Sequence, residues 1–146
     1  MSALATVVPM TRPRYDGVDA LLADARSRLD RVSPRAAFQE LIGDGGAVVV
    51  DIRPAAQRAA EGEVAPWLPL LVIERNVLEW RFDPRSEARI PEASYERRVI
   101  VLCQEGYTSS LAADALQSIG ISRATDVVGG FAAWREAGLP VAGEAA

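Results

Sequence analysis

Two uninterrupted apolar runs constrain this chain more than any other feature. Ala47-Val48-Val49-Val50-Asp51 and Val99-Ile100-Val101-Leu102 are short, rich in β-branched residues and show no polar alternation. Such strands are covered on both faces, as in parallel sheets flanked by helices. Weaker strand patterns lie at 70–73 and 125–128. Helical patterns fall between these runs. Val18, Leu21, Leu22, Ala25, Leu29 and Val32 recur at helical spacing and predict an amphipathic helix over 18–32. Ser33-Pro34 opens a second helix with an N-cap and a first-turn proline. Its apolar face is Ala37, Phe38, Leu41 and Ile42, and Gly43 ends it before the turn at Asp44-Gly45-Gly46. Further helices are predicted over 54–60, over 108–119 closed by Gly120, and over 131–137 after Gly129-Gly130 and before Gly138. Residues 76–91, with Trp80, Phe82, Pro84 and Pro91, read as a long surface loop containing a helical turn. The alternation implies an α/β fold with a central, mainly parallel sheet flanked by helices, whose ligands sit beyond the carboxyl ends of the strands.

At 146 residues with 49% hydrophobic content, the chain is long enough for one core, and no internal repeat or second domain is evident. The lead-in over 1–16 carries Pro9 and Pro13 and lacks the charged start and apolar stretch of a signal peptide. No run reaches the ~20 apolar residues of a membrane span. A net charge of −4 gives no basic footprint for nucleic acid. These features point to a cytoplasmic protein without a membrane or nucleic-acid partner. The absences narrow the chemistry further. There is no histidine, all 16 basic residues are arginine, and Cys103 is the single cysteine. A Ser–His–Asp triad, a Cys–His pair, a histidine metal site, a lysine Schiff base, a lysine phosphate loop and an internal disulfide are all excluded. No metal or cofactor is expected.

The segment that carries chemistry is Val101-Leu102-Cys103-Gln104-Glu105-Gly106-Tyr107-Thr108-Ser109-Ser110. A cysteine ends a buried strand, a short loop turns at a glycine, and a helix begins. Successive backbone N–H groups and a helix N-terminus can then form one cup of donors, with Gly106 supplying the sharp turn. Such a cup favours a thiolate, or a persulfide carried on it, without help from histidine. A lone cysteine after an apolar strand is also a common small hydrophobe, and the loop alone leaves both readings open.

With Val50-Asp51-Ile52-Arg53 after the first strand, and Val128-Gly129-Gly130-Phe131-Ala132-Ala133-Trp134-Arg135-Glu136-Ala137-Gly138-Leu139-Pro140-Val141 at the end, the sequence resembles the single-domain rhodanese (sulfurtransferase) family over roughly 33–141. The resemblance implies a rhodanese-like domain over 33–141, preceded by the lead-in and an extra N-terminal helix over 1–32 and followed by a tail over 142–146. It implies that Cys103 takes sulfane sulfur from thiosulfate or a persulfide and passes it to cyanide or a thiol. Gln104, Glu105, Gly106, Tyr107, Thr108 and Ser109 would form the persulfide-binding loop. The sequence also departs from the family. Many single-domain members have arginine where Thr108 stands. Thiosulfate-specific members place basic residues where this chain has Gln104 and Glu105, so a thiol or protein persulfide is as good a donor as thiosulfate. The family's Gly-His-Ile-Pro-Gly-Ala stretch is replaced by Glu61-Gly62-Glu63-Val64-Ala65-Pro66-Trp67.

The remaining candidates support the loop. Asp51 and Arg53 match an Asp-x-Arg signature. Asp51 is placed to cap loop N–H groups, and Arg53 to pair with an acid such as Glu61 in a structural salt bridge. Arg58, Arg75 and Arg81 could each line the rim and receive an anionic donor, or stand as solvated charges; Arg58 is the one retained as the candidate rim cation. Trp67 and Trp80 are candidates for an apolar lid, Phe131 and Trp134 for the core. The Thr108 and Ser109 hydroxyls are placed to bond the sulfur or cap the helix. A phosphatase needs arginine six residues after the cysteine, where Ser109 stands, and arsenate reduction needs a second thiol. A noncatalytic interaction module or sulfur carrier is the alternative to transfer. A monomer and a homodimer both fit.

Overall fold

The computed structural model describes residues 11–144; the first ten residues of the expected lead-in and the last two of the expected tail lie outside them. The elements in chain order are α1 (Val18–Arg26), α2 (Pro34–Ile42), β1 (Val48–Asp51), α3 (Ala55–Glu61), β2 (Leu70–Val72), a 3₁₀ turn (Arg75–Val77), α4 (Leu78–Phe82), β3 (Val99–Leu102), α5 (Thr108–Ser118), β4 (Thr125–Asp126) and α6 (Gly130–Glu136). The four strands form one parallel sheet in the order β2-β1-β3-β4.

Every residue of β1 and β3 is buried, as their β-branched runs require. Alternation along the strands sorts their side chains into two cores. Val48, Val50, Val99, Val101 and Cys103 face Leu78, Phe82, Ala112 and Leu116 of α4 and α5. Val49, Ile100 and Leu102 face Ala37 and Leu41 of α2 and Phe131 and Trp134 of α6. Phe38 meets Trp134 edge-on, with ring centroids 6.1 Å apart. At the start of α2, the Ser33 hydroxyl oxygen accepts the Ala36 N–H at 3.1 Å, the cap that Ser33-Pro34 predicts.

Two expectations change. The first helix stops at Arg26 rather than reaching Val32. Val32 is claimed by the sheet edge instead: its N–H donates to the Asp126 carbonyl and its carbonyl accepts from the Val128 N–H, forming a parallel bridge to Val127. Sheet pairing outweighs the helical period there. The expected surface loop over 76–91 is partly core. Leu78 and Phe82, one helical turn apart on α4, are fully buried, and Ile90 joins them. Element ends shift slightly: β2 and β4 are shorter than expected, and α6 starts at Gly130. Among the described residues no helix is long and apolar enough to cross a membrane.

Candidate active site

Parity along β3 aims Cys103 at the α5 side of the sheet, just beyond the carboxyl end of the strand. The chain turns at Gly106, whose φ of +87° is open to glycine at little cost. It then enters α5, so that the helix N-terminus faces the sulfur. The Gly106 N–H donates to Cys103 Sγ at 3.2 Å and the Ser109 N–H at 3.3 Å. Cys103 is 4% exposed and belongs to the lining of an open cleft of about 460 Å³. Two bonds tie the loop to the first turn of α6: Phe131 N–H to the Cys103 carbonyl at 2.8 Å, and Ala132 N–H to the Gln104 carbonyl at 3.0 Å. This close approach explains Gly130, because a Cβ there would press into the Cys103 and Gln104 carbonyls.

Beneath the loop lie two polar clusters. Asp51 and Arg53, each with a side chain only 1% exposed, pair at 2.7 Å through Arg53 Nη2 and at 3.0 Å through Nε. The same guanidinium donates to Gln104 Oε1 at 2.8 Å and the Gly62 carbonyl at 2.9 Å, and stacks 4.4 Å from the Phe131 ring centroid. Arg53 therefore joins the end of β1 to the residue after the cysteine. The second cluster centres on Asp126 at the end of β4. Its carboxylate accepts from the Ser109 hydroxyl at 2.7 Å, the Ser110 hydroxyl at 2.8 Å and Arg31 Nε at 2.9 Å. It anchors the first turn of α5, including the residue whose N–H meets the sulfur.

Gln104, Glu105, Tyr107 and Thr108 line the cleft with Cys103, and Gly106 and Ser109 supply the donors. Asp51 accepts the Arg53 backbone N–H at 3.1 Å and caps no donor of the cysteine loop. Arg53 pairs with Asp51 and not with Glu61, because it folds back across the end of its own strand. The Ser109 hydroxyl serves Asp126 rather than the sulfur, and no side chain caps α5. Arg58 is not at this cleft: it pairs with Glu63 at 2.8 Å and lines a separate groove beside β2. Of the three rim candidates, Arg75 is the one that lines the cleft, from the 3₁₀ turn after β2, where it pairs with Glu79 at 2.7 Å; Arg53 reaches the cleft from the end of β1. Trp67 and Trp80 are 64% and 62% exposed and neither lines the cleft, so they form no lid.

The sequence reasoning missed Glu74 and Asn76 as cleft wall, weighed Arg75 for the rim but favoured a solvated charge, and missed Asp126 as the anchor of α5. Asp126 had a usable signal: an acid among apolar residues at the carboxyl end of a parallel strand. It also missed Arg26 and Arg31, which both donate to the Gly106 carbonyl, at 2.7 and 3.0 Å. Among the described residues no group of His, Cys, Asp or Glu is placed to hold a metal ion.

Comparisons with known proteins agree with this fold. The Rhodanese-like domain family model matches residues 35–137. Thiosulfate sulfurtransferase GlpE of Actinobacillus pleuropneumoniae serotype 5b (strain L20) is 34% identical over 110 residues, which cover 75% of this chain and 90% of that one. Adenylyltransferase and sulfurtransferase MOCS3-2 of Zea mays is 30% identical over 99 residues; they are 66% of this chain but only 19% of the maize protein. Among solved structures, RPA3614 of Rhodopseudomonas palustris CGA009, titled a protein of unknown function and "Possible Tyrosine Phosphatase", superposes with a TM-score of 0.77 at 30% identity, covering 92% of this chain and 99% of that one. By its matched domain, its parallel sheet and its curated relatives, this chain belongs to the rhodanese-like domain family.

Proposed function

We propose that the protein is a sulfurtransferase that carries sulfane sulfur on Cys103 from an organic persulfide to a thiol. The observation that supports this most directly is the pair of backbone N–H donors on a cysteine sulfur at a cleft wall. A hydrogen bond to a charged acceptor is worth about 1.5–3 kcal/mol, and two of them with a helix N-terminus favour an anion at that point. The chain has no histidine to act as base, and the reaction needs none. The Cys103 thiolate attacks the outer sulfur of R–S–SH. A Cys103–S bond forms, the donor S–S bond breaks, and RS⁻ leaves while the proton stays on the transferred sulfur. An acceptor thiolate then attacks that outer sulfur, takes it with its proton, and frees the Cys103 thiolate. The result is two-step covalent catalysis with no net redox change.

Cleft charge disfavours a compact dianionic donor. Arg53 is offset by Asp51 and Arg75 by Glu79. Glu74 and Glu105 are exposed along the wall and form no ion pair among the described residues. A thiosulfate dianion would enter a net negative cleft. A phosphatase reading lacks its phosphate-binding group: Ser109 occupies the position six residues after Cys103 and aims its hydroxyl at Asp126. A lone, unbridged thiol also suits a reducing, cytoplasmic setting.

The test is intact-protein mass after exposure to glutathione persulfide and, separately, to thiosulfate, with Cys103→Ala as control. The expected result is a gain of one sulfur, faster with the persulfide, absent from the control, and lost to cyanide as thiocyanate. No gain from either donor by a protein whose thiol still alkylates would overturn the proposal.

A further inference from the structure

We infer that Arg26 and Arg31 are positioning residues for the sulfur cup, clamping the Gly106 carbonyl so that the loop keeps its N–H groups on Cys103. Both precede the family-matched residues 35–137. Arg26 Nη2 donates to the Gly106 carbonyl oxygen at 2.7 Å and Arg31 Nη2 at 3.0 Å, with the Ser110 hydroxyl a longer 3.5 Å away. One backbone carbonyl thus receives two guanidinium groups, and it belongs to a residue that also donates its N–H to Sγ. Each arginine is itself oriented. Arg26 Nε donates to the Ser110 hydroxyl at 3.0 Å, and its guanidinium lies 5.7 Å from the Tyr107 ring centroid. Arg31 holds both carboxylate oxygens of Asp126, at 2.9 and 3.1 Å.

The loop needs such a device because it turns on a glycine. Without a Cβ, the peptides on either side of Gly106 rotate at little cost. Rotation of the Glu105–Gly106 peptide would carry the Gly106 N–H off the sulfur, and rotation of the Gly106–Tyr107 peptide, which the arginines hold directly, would shift the Gly106 Cα between them and could set a carbonyl lone pair against a thiolate or persulfide. Two charge-assisted bonds on the carbonyl oppose that rotation. Docking of α1 does not account for them, since Arg28 already ties this segment to Asp114 of α5 at 2.7 Å. The N-terminal segment therefore completes the site from behind, although none of its described residues lines the cleft.

The kinetic consequence rests on the sulfur-transfer reading, while the clamp is tested without a sulfur donor. The full-length protein and its R26M, R26K, R28M and R26M/R31M variants are compared in two assays, with melting temperature measured alongside. The first is the rate of Cys103 alkylation by iodoacetamide at neutral pH. The second is single-turnover sulfur uptake from glutathione persulfide, resolved into a maximal rate and a half-saturating concentration. R26M should alkylate about threefold more slowly and the double variant about tenfold, less than the more than tenfold that complete loss of one hydrogen bond to a charged acceptor would cost, because the clamp acts on the donor through the backbone. Maximal uptake should fall in step while the half-saturating concentration holds, and R26K should recover at least half of the loss. R28M loosens α1 but spares the clamp, so it should stay within about twofold of the parent even if it melts earlier. Unchanged or faster alkylation in R26M, or equal slowing by R28M, overturns the inference. If the double variant does not fold, R26M alone decides. A parent chain that takes up no sulfur, with R26M still slow to alkylate, overturns the transfer reading and supports the clamp.

Discussion

Arg53→Met removes a guanidinium from the least solvated ion pair among the described residues while keeping an apolar stem against Phe131. Four polar contacts disappear: two to Asp51, one to Gln104 and one to the Gly62 carbonyl. The Asp51 carboxylate, 1% exposed, retains only the backbone N–H of residue 53 at 3.1 Å. Leaving one partner of a buried pair uncompensated costs about 3–5 kcal/mol, against a total of about 5–15 kcal/mol for a domain. At about 2–4 °C per kcal/mol for this size, the melting temperature should fall by roughly 6–20 °C. Urea denaturation measures the free energy directly. Asp51→Asn in the same chain removes the stranded charge and should restore about half of the loss. Sulfur uptake, measured where R53M is fully folded, should fall less than about tenfold, because Arg53 acts on Gln104 and not on the reacting sulfur. A cost below about 1 kcal/mol, or no recovery in the double variant, would refute the reasoning about the buried charge. A loss of uptake beyond about a thousandfold would show that Arg53 touches the substrate.

Gly106→Ala should be destabilising and nearly inactive: a Cβ there would lie 2.8 Å from the Gly129 nitrogen at a φ of +87°, and left-handed strain alone costs about 1–2 kcal/mol. Urea denaturation and sulfur uptake would both show it, and parent-like values would remove the tight turn from the account. Strong peroxide should abolish sulfur uptake irreversibly, since Cys103 has no internal thiol partner; uptake that survives complete sulfonation, read by mass, would refute its role. The Asp24 carboxyl is held below its ordinary value by the Arg28 guanidinium and then by the Tyr15 hydroxyl. Its stabilising contribution is present above the unfolded carboxylate range and disappears as pH falls through the depressed folded value. Amide protection factors in α1, corrected for the intrinsic pH dependence of exchange, should therefore fall in acid, and Asp24→Asn should flatten that response. Arg58→Ala should leave sulfur uptake within about twofold of the parent, because Arg58 lines another groove; a larger loss would return it to the site.

The parts of the fold written in local pattern were legible. The valine-rich runs could only be doubly covered strands, and Ser33-Pro34 carries its own helix start. The cysteine, the glycine at positive φ and the helix after it are contiguous, so the donor cup could be read from one stretch of chain. Where contiguity ended, so did legibility. Arg58 and Arg75 look alike in sequence, and only the path of the 3₁₀ turn after β2 brings Arg75 to the cleft. Phe82 sits among charged residues and prolines, yet α4 turns it and Leu78 into the core.

The residue inventory by itself excluded histidine, lysine and disulfide chemistry, and local pattern located strand, thiol and turn, because those depend on side-chain type and on interactions a few residues long. Tertiary structure alone decided which guanidinium meets which distant acceptor: Arg53 with Gln104, 51 residues away, and Arg26 and Arg31 with a carbonyl 75 or more residues away. Sixteen arginines offer many pairings of similar chemistry. Long flexible side chains are selected by the positions of strand ends and helix termini in space, which no local period encodes.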